Sequence, residues 1–151
     1  MKRNPSSMKG RRKKKKADTT RSLVAKLDRV YSRFIRMRDA DNEGRVNCVT
    51  CGRQFHWTEV HCGHWIKRQH MAVRWDERNT ASQCVRDNLH MGGCQDVYGK
   101  YIIDRYGLDA FNELLAKKHE TKKWARGELE EMIQTYSERV AQLENSHKFL
   151  G

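Results

Sequence analysis

Cys48-Val49-Thr50-Cys51-Gly52 and Gln83-Cys84-Val85-Arg86-Asp87-Asn88-Leu89-His90 stand near the two ends of residues 48–94, a stretch that holds all five cysteines and five of the seven histidines of the chain. The first is a C-x-x-C-G knuckle, in which two thiolates are spaced to reach one metal ion and the glycine permits the tight turn beneath them. Cys84 adds a third soft ligand from a distant point in the sequence, which is the spacing logic of a structural zinc site. Three residues compete for the fourth place: Asp87, where a second C-x-x-C would end, then Cys94, then Cys62. A carboxylate completes a zinc tetrahedron less often than sulfur or imidazole. Position ranks Asp87 first and Cys94 second.

An odd number of cysteines argues against a disulfide framework, and no βαβ pattern surrounds the C-x-x-C to suggest thioredoxin-like exchange. Once one closed zinc sphere is filled, His61, His64, Asn79, Asn88 and His90 remain in the same stretch. Such a surplus suggests a second, open site. Phosphodiester hydrolysis needs a neutral imidazole base, an orienting amide and a hard metal ion with free coordination positions. The plainer alternative is that these are incidental loop residues.

Outward from this centre, Leu23, Leu27, Val30, Tyr31, Phe34 and Met37 recur at helical spacing, with Thr19 or Thr20 as N-cap, and predict an amphipathic helix to about Arg38. Arg45–Asn47, Gln54–Trp57 and Val60–Ile66 read as short strands of a hairpin or ribbon. A helix is predicted from about Ser82, broken at Gly92-Gly93 and resuming through Val97, Tyr98, Tyr101 and Ile102 to a cap at Gly107. Phe111, Leu114 and Leu115 mark a short helix; Leu129, Met132, Ile133, Tyr136, Val140 and Leu143 mark a longer one to about Asn145.

The net charge of +12 points to a polyanionic partner, but it is unevenly spread. Residues 1–16 carry nine Lys and Arg and no acid, leaving 22 basic against 19 acidic residues in the rest. The run Arg11, Arg12, Lys13, Lys14, Lys15 and Lys16 is too polar to offset its ordering entropy by burial. It is expected to be a disordered arm, either merely solvated or binding nucleic-acid phosphates. With 33% charged residues the core must be modest, and a metal would help hold it together. No apolar run is long enough to span a bilayer, so a cytoplasmic protein without membrane contact is expected.

The set Cys48-x-x-Cys51-Gly52, Cys62-Gly63-His64, Arg74-Trp75-Asp76-Glu77-Arg78-Asn79, Gln83-Cys84 and Tyr106-Gly107 resembles the NinG (Rap) recombination proteins of lambdoid phages, a branch of the HNH, ββα-metal nucleases. The likeness covers roughly residues 30–145. It implies an α+β, mainly helical fold with a zinc-stabilised ββα-metal core, flanking amphipathic helices and the basic arm. The expected division is an arm at 1–19 and one domain at 20–151, comprising a helix at 20–40, the zinc core at 45–94 and helices at 95–146. The implied activity is structure-specific endonuclease cleavage of branched DNA such as Holliday junctions and displacement loops, with structural zinc and a catalytic magnesium or manganese ion. By position, His64 resembles the general base, Asn79 the asparagine that braces the ββα loop, and Asn88 the third HNH position, a metal ligand. His61 stands where such proteins commonly have a metal-binding aspartate, and His90 could share the ligand role with Asn88. Symmetric cleavage of a four-way junction needs two active sites, so a homodimer is expected, joined through the helix at Leu23–Met37 or that at Leu129–Leu143. The competing class is a non-catalytic zinc module that binds nucleic acid by its arm, with Trp57, Trp65 and Trp75 only packing.

Overall fold

The computed structural model describes residues 16–146. Of the basic run, Arg11 to Lys15 lie outside the described residues; Lys16 is the first within them and is exposed. The fold is mixed α and β, mostly helical, with two small sheets.

Helix α1 spans Thr20–Asp39. Thr19 is its N-cap, accepting from the Ser22 N–H at 3.1 Å, and so satisfies one of the donors that a helix start leaves open. After a turn at Asp41–Gly44, strands β1 (Arg45–Asn47) and β2 (Gln54–His56) form an antiparallel hairpin carrying the Cys48–Cys51 knuckle at its tip. The longer sheet pairs β3 (Val60–His64) with β4 (Thr80–Cys84), antiparallel, with His64 opposite Thr80 and Val60 opposite Cys84. Residues 65–79 bridge these strands. A single π-helical turn, Arg86–His90, follows β4. Helices α2 (Gln95–Tyr106), α3 (Leu108–Lys118) and α4 (Arg126–Asn145) complete the chain.

The helix expected from Ser82 is corrected: Thr80–Cys84 is a strand, every residue of it buried. One edge of that strand pairs with β3, while the Ser82 N–H donates to Asp39 Oδ2 (2.7 Å) and the Ser82 carbonyl accepts from Val49 N (2.9 Å). A backbone so engaged on both edges has no hydrogen-bonding capacity left for a helix. Val97, read as part of an apolar stripe, is exposed at 52%; Tyr98 and Ile102 are the buried positions of α2.

Two apolar clusters flank the β3–β4 unit. In one, Leu23, Leu27, Tyr31 and Phe34 of α1 pack with Leu129, Tyr136 and Val140 of α4 and with Trp75. In the other, Trp65, Ile66 and Val73 of the bridging segment pack with Tyr98 and Ile102 of α2 and Leu114 of α3. The apolar stripes of α1 and α4 cover each other within one chain. The tryptophans do pack, Trp65 on Phe111 (4.6 Å between centroids) and Trp75 on Trp124 (5.6 Å).

Candidate metal centre and active cleft

Cys48 and Cys51 arrive from the hairpin tip, Cys84 from the end of β4, and Asp87 from the π-helical turn; their ligand atoms all lie within 4.8 Å of one another. The separations suit a tetrahedral ion. Zinc–sulfur bonds of about 2.3 Å place ligand atoms about 3.5–3.8 Å apart, and Cys51 Sγ to Cys84 Sγ is 3.9 Å while Cys48 Sγ to Asp87 Oδ2 is 3.8 Å. The donors suit zinc as well. Burial opposes a Cys48 thiolate, but the N–H groups of Cys51 and Cys84 pointing at the sulfur outweigh it and hold the thiol below its ordinary value. Asp87 is 1% exposed; the Thr50 hydroxyl, 2.7 Å from Oδ2, and Arg86 beside it keep its carboxyl below the usual range.

Asp87, not Cys94 or Cys62, therefore stands in the fourth place of this group. Cys94 takes a left-handed backbone (φ 47°) at the start of α2, and its N–H is bound to the Met91 carbonyl. Burial pushes the Cys62 thiol up to about 12, and it packs against the α1–α4 cluster. Asp87→Ala should weaken zinc binding by more than about 10-fold, the scale on which even supporting partners of metal ligands act. Asp87→Cys should tighten it, and Cys94→Ser should leave it unchanged in a competition titration. Zinc loss in Cys94→Ser with none in Asp87→Ala would contradict the assignment.

A separate cleft of roughly 650 Å³ opens beside this cluster, lined by His61 and His64 of β3, Asn88 of the π-helical turn, Gly92 and Gly93, and Asp28 and Arg36 of α1. His64 is the last residue of β3. One of its ring nitrogens, Nε2, lies 2.9 Å from the Arg74 carbonyl oxygen. A carbonyl only accepts, so Nε2 carries the proton and Nδ1 keeps its lone pair. Burial lowers the His64 pKa to about 4, against a weaker opposing effect of the Arg74 carbonyl. His61 Nδ1 and the Asn88 side-chain amide are 3.0 Å apart.

Asn79 is fully buried and staples the segment that bridges β3 and β4. Its Oδ1 accepts from Ile66 N (2.8 Å), and its Nδ2 donates to the carbonyls of Ile66 (2.9 Å) and Val73 (3.1 Å). Arg74 and Trp75, within that segment, are anchored to α1: Asp28 accepts from the Arg74 guanidinium and from Trp75 Nε1 (3.0 Å). The carbonyl that orients His64 is thus itself held. His90, by contrast, is exposed and does not line the cleft.

Gln83 connects the two sites. Its buried Nε2 donates to Thr50 Oγ1 (3.1 Å), which serves Asp87, and to the Gly93 carbonyl (2.9 Å) in the cleft wall. Gly63 allows this side chain to lie flat across β3, since a Cβ there would come within 2.4 Å of Gln83 Oε1.

The His64 shift has a measurable sign. An unfolded imidazole titrates near about 6.5, whereas the folded one does so at about 4. Between those values the unfolded chain binds more protons, so this histidine's contribution is complete above about pH 6.5 and is lost as pH falls toward 4. Nuclear magnetic resonance of its Cε1 proton should show a neutral ring through pH 5.5. A midpoint near the ordinary value would contradict a desolvated cleft.

Sequence reasoning missed Asp28, Arg36, Lys67 and Arg68, all of which face the cleft. Charges at single helix or loop positions carry no local signal of a shared site.

Residues 2–146 match the family model described as Bacteriophage Lambda NinG protein. Among curated relatives, Protein ninG of Escherichia phage 933W is 29% identical over 126 residues, covering 82% of this chain and 59% of the relative. The proteins of the same name from Salmonella phage P22 and Escherichia phage lambda are each 28% identical, with 82% of this chain and 58% of the relative covered. The chain therefore spans less than two thirds of the length of these relatives. No solved structure matches.

Proposed function

The chain belongs to the NinG family of bacteriophages, and from that premise we propose that it is a metal-dependent, structure-specific DNA endonuclease of the HNH, ββα-metal class, cutting branched recombination intermediates such as Holliday junctions and displacement loops. One observation carries this reading: strand, braced segment, strand and helical turn bring His64, His61 and Asn88 to a single cleft, apart from the cysteine cluster. A lone structural zinc would leave that second convergence of imidazoles and amide without a use.

In this reading His64 Nδ1 takes a proton from a water molecule as its oxygen attacks phosphorus and the bond to the departing ribose oxygen breaks. Arg74 holds the ring through its carbonyl, and the Asp28 ion pair holds Arg74. Burial keeps the ring neutral and ready to accept. An incoming phosphate, negative beside the ring, shifts it back toward the range in which a base is effective.

His61 and Asn88 are the residues to hold a magnesium or manganese ion, with His90 outside the cleft wall and so less suited. Such an ion supplies charge stabilisation to the phosphoryl and leaving oxygens. Asn88 Nδ2 and His61 Nδ1 face each other at 3.0 Å, so holding one ion between these residues would require that contact to open, leaving a ring nitrogen and the amide oxygen as the ligands. Zinc belongs to Cys48, Cys51, Cys84 and Asp87, whose donors and spacing fit it. The basic arm, Arg11 to Lys16, would add sequence-independent contacts to phosphates, and a homodimer would offer two cuts to a junction. Among the described residues no helix is long and apolar enough to cross a membrane.

The test is a labelled four-way junction incubated with the zinc-loaded protein, with and without magnesium or manganese. Nicking near the branch only when the divalent ion is added is expected. Binding without nicking under every metal would favour the non-catalytic zinc module.

A further inference from the structure

Three basic residues, Arg36, Lys67 and Arg68, line the cleft with a single acid, Asp28, and that acid already accepts from Arg74 and Trp75. Arg36 differs from its neighbours on α1. Arg33 is paired with Glu144 and Arg38 with Asp39, whereas among the described residues no carboxylate pairs with Arg36. Its side chain is nevertheless fixed. Nε donates to the Ser32 carbonyl (3.2 Å), Nη1 to the Trp57 carbonyl (3.4 Å), and the guanidinium lies over the Trp57 ring, 5.5 Å from its centroid.

A half-buried cation without a counter-ion is costly in the free protein, and burial accordingly weakens its hold on its proton. That cost is recovered when an anion arrives. Because two backbone carbonyls and an indole already hold the planar group, little side-chain entropy remains to be lost on binding. Among the described residues no hydrogen bond engages its Nη2.

We propose that Arg36 is a phosphate-binding residue of the cleft, its guanidinium holding a non-bridging oxygen of the DNA backbone beside His61 and His64. This role rests on the reading of the cleft as a phosphodiester site. Arg36 would be a positioning residue, setting where the strand lies relative to the base.

The test measures binding, so that it does not depend on cleavage. Zinc-loaded full-length protein, with calcium in place of magnesium, is titrated with four-way junctions that each carry one uncharged methylphosphonate at successive positions around the branch. Arg36→Ala should bind the unmodified junction about 10- to 100-fold more weakly, as expected for a lost hydrogen bond to a charged group. Arg36→Lys, which keeps the charge but not the fork, should recover part of this. At one position the methylphosphonate should cost the wild type a similar factor and Arg36→Ala less than about twofold, a non-additive pair. Zinc content and melting are read for each variant; if Arg36→Ala does not fold, the same coupling is read between Arg36→Lys and the wild type. Equal binding by variant and wild type, or penalties that add at every position, would overturn the role. Coupling without any nicking in magnesium would sink the nuclease reading and leave Arg36 as a phosphate contact. Nicking without coupling would do the reverse.

Discussion

Stripping the metal with a strong zinc chelator should abolish the cooperative thermal transition of the protein. The cluster ties the hairpin tip at Cys48 and Cys51 to the end of β4 and to the turn bearing Asp87 and Asn88. It also anchors Thr50, and through it Gln83 and the cleft wall. A structural zinc site is worth about 10–16 kcal/mol of apparent binding energy, against about 5–15 kcal/mol for the net stability of a typical domain. Without the ion, Cys48 and Cys84 would be two buried thiols facing a buried carboxylate held by the Thr50 hydroxyl and the exposed Arg86. Calorimetry with parallel metal analysis checks this; a melting transition retained at zero bound zinc would contradict it.

His64→Ala should lower the rate of junction cleavage by about 10²–10⁴, the usual contribution of a positioned general base. Junction affinity and zinc content should stay near wild type, because the role assigned to His64 is exercised in the transition state. Removing the ring also removes one hydrogen bond to the Arg74 carbonyl, worth about 1 kcal/mol, so melting should move only slightly. His61→Ala and Asn88→Ala should lose activity too, but excess divalent ion should partly restore it, since those residues are assigned to hold the metal. Single-turnover assays on a four-way junction separate the cases. Wild-type cleavage by His64→Ala, or loss of its zinc, would remove His64 from the role of base.

The helices were readable from spacing alone because α1 and α4 each bury one stripe, so apolar residues return at the period of the helix. Strand β4 was not. Thr-Ala-Ser-Gln-Cys is buried along its whole length, so it shows no alternation, and its partners Asp39, Val49 and β3 are all distant in sequence. The knuckle and Cys84 were legible because thiolates at such spacing have few other uses. Asp87 ranked ahead of Cys94 because it stands where a second C-x-x-C would end, and the turn after β4 carries it into the group. The resemblance assigned Asn79 to bracing; in the structure it makes three hydrogen bonds to the backbone of Ile66 and Val73. The cations of the cleft were invisible for a different reason. Arg36 looks like any solvated arginine on an amphipathic helix until α1 is laid across β3 and the Trp57 turn.

Under the proposed function two metals would occupy two places: zinc at Cys48, Cys51, Cys84 and Asp87, and a divalent ion in the cleft at His61 and Asn88. Anomalous diffraction from crystals of His64→Ala grown with manganese and a junction, recorded at the zinc and manganese absorption edges, tests it most directly. The expected result is a zinc peak within bonding distance of the four cluster ligands and a separate manganese peak beside His61, next to a phosphate. Manganese found nowhere in the cleft while a junction is bound, or both metals found only at the cysteine cluster, would contradict it.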